Sequence, residues 1–133
     1  MFEFFKKKTP NAKGPDFSNI DSRAKAEAMF RKGELEKLFL LPLEFGGQDI
    51  AENVLFVPVG VAAVKAGIDV NIIAPLVSEG KVTQYNAEPD YQGDSFIPIA
   101  IKITAWDPGQ FSSTINIWGA ALTQEQGDQE GNG

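Results

Sequence analysis

The stretch from Phe96 to Trp118 constrains the fold of this chain more than any other. It reads Phe-Ile-Pro-Ile-Ala-Ile-Lys-Ile-Thr-Ala-Trp over 96–106, Asp-Pro-Gly-Gln over 107–110, and Phe-Ser-Ser-Thr-Ile-Asn-Ile-Trp over 111–118. Side chains alternate across a strand with period two. Ile97, Ile99, Ile101, Ile103 and Ala105 therefore share one face, and Phe96, Pro98, Ala100, Lys102, Thr104 and Trp106 the other. In the second arm Phe111, Ile115 and Ile117 oppose Ser112, Thr114, Asn116 and Trp118. One aliphatic side and one mixed side mark an antiparallel hairpin with a single face on the core.

The connection has to keep those faces aligned. A two-residue loop of Pro108 and Gly109 sets Ile103 against Thr114 and mixes them, because a one-residue slip moves a strand's whole apolar set. Pairing Ile103 with Ile115 and Ile101 with Ile117 keeps the aliphatic face intact. That requires a loop of about three residues or a bulge at Gly109.

The rest of the chain supplies partners for this hairpin. Asp21 or Ser22 caps a helix over 21–32 that stops at Gly33. Leu38 to Leu43 reads as a strand over 36–44, since Pro42 disfavours a helix and places the strand at an edge or a bulge. Gly46-Gly47 belongs to a turn rather than a phosphate loop, because the glycine spacing and the following residues match no phosphate-binding pattern. A buried strand follows over 53–59, then helices over 61–66 and 70–79, separated at Gly67 and disturbed by Pro75. A short strand over 81–86 and a loop over 88–94 lead into hairpin strands over 96–106 and 111–119. The expectation is an α+β fold: a mostly antiparallel sheet of about five strands with helices packed on one face. It forms one domain over 19–122, between a flexible arm (1–18) and a polar, disordered tail (123–133).

Composition narrows the chemistry. The 133 residues contain no Cys and no His. That removes thiolate catalysis, His-based triads, disulfides and nearly every zinc, copper or haem site. No catalytic motif replaces them, no cofactor is implied, and the balance leans away from an enzyme. The net charge of −6 disfavours nucleic acid as a partner and suits a basic protein. No run reads as a signal peptide or as a membrane-spanning helix, so a cytoplasmic protein with no membrane partner is expected.

Candidate sites are few. The mixed hairpin face gathers Phe96, Thr104, Trp106, Thr114, Asn116 and Trp118, residue types that suit protein recognition. The competing reading is that another segment covers this face. Glu88, Asp90 and Asp94, flanked by Tyr85 and Tyr91, form a second candidate as a small pocket. The carboxylate spacing fits no calcium loop, and a solvated acidic loop is the preferred explanation for these acids. The expected function is a non-catalytic intracellular protein-binding domain, of the kind represented by an acidic inhibitor or immunity-type protein for a basic partner. The alternatives are a small-ligand-binding module or carboxylate-dependent enzyme, and a structural homo-oligomer.

Overall fold

The computed structural model describes residues 14–123. The expected tail, apart from Thr123, and most of the expected arm lie outside that range. Residues 14–20 lie against the body: the Phe17 ring meets Trp118 edge-on at 5.8 Å, and the Ile20 carbonyl accepts from the Phe96 amide.

Helix α1 spans Arg23–Arg31, and Ser22 accepts from the Lys25 amide at its start. Strand β1 (Leu35–Phe39) and strand β2 (Val54–Pro58) form an antiparallel ribbon. A helical stretch runs from Val61 to Ser78 as α2 (Val61–Ile68), a π-turn (Asp69–Ile73) and α3 (Ala74–Ser78). Strands β3 (Val82–Asp90), β4 (Ala100–Pro108) and β5 (Gln110–Asn116) form a second antiparallel sheet in the order β3-β4-β5. The fold is α+β, but its strands divide into a two-stranded and a three-stranded sheet instead of one sheet of five. A single buried cluster joins both sheets and the helices, from Ala26, Leu35 and Val57 to Ile73, Ile101 and Ile115.

The hairpin keeps the expected faces with a shifted register. Ile101 pairs with Ile115, Ile103 with Ser113 and Ala105 with Phe111. Trp106 faces Gln110 across a loop of residues 107–109, closed by the Asp107 amide donating to the Gly109 carbonyl at 2.9 Å. The parity argument holds and the loop has three residues; the pairing differs from the expected one by two positions. Parity alone cannot separate registers two residues apart, because both preserve the faces. What selects this one is the turn. The Gly109 amide donates to the Lys81 carbonyl at 2.8 Å, and a Cβ on Gly109 would stand 2.7 Å from that oxygen.

Several boundaries move, among them the end of β5, which stops at Asn116 rather than 119. The first hairpin strand begins at Ala100 rather than Phe96, although Ile97 and Ile99 remain buried. Strand β1 stops at Phe39, and Pro42 opens a 3-10 turn over Leu43–Phe45. There Gly47 comes so close to the Leu41 carbonyl that no side chain fits. Strand β3 runs on to Asp90, so Glu88 and Asp90 are strand residues, not loop residues. Gly67 does not end a helix. Pro75 cannot donate to the Asn71 carbonyl, and the π-turn shifts the bonding so that Ala74 donates to Asp69 instead. The two expected helices are therefore one run of 18 residues.

Candidate functional site

That run packs Val61, Ala62, Ile68, Ile73 and Leu76 against the core but leaves much of its apolar surface outside. Its mean hydropathy is 1.5, yet only 17% of it is buried. The buried positions are Lys65, Asp69 and Ile73, so two of the three carry charge. Val64, Val70, Ile72 and Val77 are exposed by 43 to 54%. A surface helix ordinarily buries its apolar stripe and wets its charges. By length and composition alone this helix could cross a membrane, which corrects the expectation that no segment approaches that length.

The buried charges form a closed network. The Lys65 ammonium donates to Asp69 Oδ2 at 2.6 Å and to the Tyr85 hydroxyl at 2.8 Å. That hydroxyl donates to Asp69 Oδ1 at 2.9 Å, with the Leu40 carbonyl farther off at 3.3 Å. Lys65 and Asp69 are one helical turn apart, and both are almost fully enclosed. Phe45 meets the Tyr85 ring edge-on at 5.4 Å and closes that side. Burial pulls the Lys65 ammonium below its ordinary range, an effect that Asp69 and Glu44 oppose without cancelling. Burial also pushes the Tyr85 hydroxyl up, and the adjacent Asp69 charge reinforces this.

Strand β1 ties the start of the helix to the same region. Glu36 Oε2 accepts from the Gly60 amide at 2.9 Å and the Ala62 amide at 3.0 Å, meeting two amides that have no partner inside the helix. Above the Lys65–Asp69 pair lies a cavity of about 310 Å³ between this helix and the turn after β1. Its walls include Pro42, Leu43, Ala62, Ala66 and Val70, with Glu44 and Lys37 beside them.

The residues singled out from the sequence are dispersed. Thr104, Trp106, Thr114 and Asn116 do share the outer face of the three-stranded sheet, where Trp106 is 40% exposed. Trp118 is buried, donating its indole N–H to the Ile97 carbonyl at 3.0 Å. It lies beyond the end of β5, where alternation no longer fixes direction. Phe96 precedes β4 and packs under the Arg23 guanidinium at 5.5 Å. The proposed pocket of Tyr85, Tyr91, Glu88, Asp90 and Asp94 does not assemble. Tyr85 points inward to Lys65, on the opposite face of β3 from Glu88. Glu88 and Asp90 line a shallow hollow with Lys102 and Asn116. Tyr91 borders another hollow with Arg23 and Phe96, and burial raises its hydroxyl pKa. Asp94 is exposed. Among the described residues no three acidic side chains converge as a metal site would need.

The Lys65–Asp69 pair was missed from the sequence. The available signal was their i,i+4 spacing as the only charged residues between Val61 and Ser78. Charges so isolated in an apolar helix are better placed facing each other than facing hydrocarbon. Comparison of the chain with protein-family models, curated proteins and solved structures returns no match.

Proposed function

We propose that this chain is a protein-recognition domain that docks a basic partner on the outward apolar face of the 61–78 helix. The observation that carries this reading is the helix's apolar outer surface: Val64, Val70, Ile72 and Val77 are about half exposed, while Lys65 and Asp69 lie beneath beside the core-packed Ile68, Ile73 and Leu76. Contiguous exposed apolar surface marks interaction sites in soluble proteins. An interior ion pair also holds the helix in one rotational setting, since turning it outward would bring hydrophobic side chains inside and break the network. The net charge of −6 favours a positively charged partner, chiefly through faster encounter and rejection of acidic competitors. An inhibitor or immunity-type role against a basic protein is one form this would take. The mixed polar face around Trp106 gives a weaker case, because a wetted outer face is the ordinary condition of an antiparallel sheet.

The test uses the full chain and a Val64→Glu/Val70→Glu variant as baits in native lysate. The expected result is a stoichiometric, basic partner that the wild type retains and the variant loses, with both baits equally folded by circular dichroism. A partner held equally by both would move recognition to another surface. Binding to lipid vesicles in flotation, with no protein partner, would replace protein recognition with membrane association.

A further inference from the structure

We propose that the cavity over Lys65 and Asp69 is a binding site for a small neutral molecule carrying one carbonyl acceptor on a compact apolar body, such as a lactam, lactone or cyclic ketone. The volume of about 310 Å³ sits at the lower end of the small-molecule range. One wall is the turn after β1, with Pro42 and Leu43, and the other is the helix, with Ala62, Ala66 and Val70. These surfaces suit a compact hydrocarbon body that fits within that volume.

The polar floor selects the rest. An ammonium has three protons to donate. Asp69 and Tyr85 accept two from Lys65, and no third protein acceptor lies within reach among the described residues. A buried donor gains from an acceptor entering the cavity. That acceptor should be uncharged. Asp69 already balances Lys65, and Glu44 and Lys37 on the same walls carry opposite charges, so the lining has no net charge to offset the hydration an ionic ligand would lose. A carbonyl oxygen accepts the proton at a smaller desolvation cost.

The experiment is a nuclear magnetic resonance titration of the ¹⁵N-labelled full chain with ε-caprolactam, cyclohexanecarboxylate and cyclohexylamine. Saturable shifts confined to amides of residues 37–44 and 62–70 are expected with the lactam. It should bind at least about tenfold tighter than either charged ring, because a charge loses more on leaving water than a carbonyl does. Ala66→Phe places a ring in the cavity from an exposed position, and should abolish those shifts while leaving the rest of the spectrum in place. The proposal falls if the lactam shifts do not saturate, survive Ala66→Phe, or are matched by cyclohexanecarboxylate. No partner protein enters this measurement, so its outcome is separable from that of the helix-docking reading.

Discussion

At the scale of single residues, Lys65 and Asp69 are the costliest groups in the fold to leave half-satisfied. Two charges taken out of water are tolerated because each meets the other and both meet Tyr85. Removing one leaves the other buried without its countercharge, which typically costs about 3–5 kcal/mol. Asp69→Leu or Lys65→Met alone should therefore lower the denaturation midpoint sharply. The pair Lys65→Met/Asp69→Leu should recover most of that loss, because apolar replacement of a buried ion pair is often neutral. Denaturant titration of the three variants checks this; a double variant as unstable as the sum of the singles would show that the pair organises more than its own charges. The two tyrosines give a spectroscopic prediction. Burial raises the pKa of both Tyr85 and Tyr91, with the Asp69 charge adding to Tyr85. The unfolded chain releases these protons near pH 10 while the fold holds them. The stability this represents is fully present below pH 10 and is lost as pH rises beyond it. Lys65 has the opposite sign, since a depressed folded pKa makes stability climb as pH approaches the unfolded lysine value. Alkaline titration at the tyrosinate band should thus give an ordinary curve in denaturant. In native protein the curve should be delayed, rising only as the fold opens.

Among the elements, legibility followed the strength of the local pattern. Period-two alternation was strong over residues 100–116, so the strands, their shared face and the three-residue loop could all be read in advance. Ser22 as a cap and Val54–Pro58 as a strand were legible for similar reasons, a polar cap and a β-branched run. The helix over 61–78 was not, because Gly67 and Pro75 are breakers by type. Whether a breaker breaks depends on what surrounds it. Gly67 keeps helical geometry at about 1 kcal/mol relative to Ala, and one π-turn absorbs Pro75. The division into two sheets was illegible too, since nothing local says which strand edge stays open. The candidate sites fared worst, because they were chosen by residue type and the structure sorted them by face. Gly67 yields a prediction of its own. Its φ is not left-handed, and a Cβ there would meet nothing within 4 Å. Gly67→Ala should raise stability by about 0.5–1 kcal/mol through the entropy of the unfolded chain. A thermal melt showing a loss would mean that this face of the helix is covered in the protein as it exists in solution.

For the molecule as a whole, the distribution of apolar and charged groups decides more than their amounts. A hydrophobic fraction of 43% is ordinary, but part of it is spent on the outside of one helix while two charges occupy the inside. An exposed patch of this kind invites non-specific association, and a net charge of −6 opposes it by keeping copies apart. The two features together predict how salt acts. Screening weakens repulsion between copies and also weakens attraction to a basic partner, because the Debye length shrinks from about 30 Å at 0.01 M to about 3 Å at 1 M. It leaves apolar contact largely untouched. Raising salt should therefore slow association with a basic partner by about tenfold or more, while the dissociation rate, set by the helix face, changes much less. In the same titration, self-association measured by light scattering should increase. The Val64→Glu/Val70→Glu variant should show neither effect, and its thermal midpoint should stay close to the wild type's because both side chains are about half exposed. If salt instead accelerates dissociation and leaves the association rate alone, charge holds the complex together, and the apolar helix is not what the partner grips.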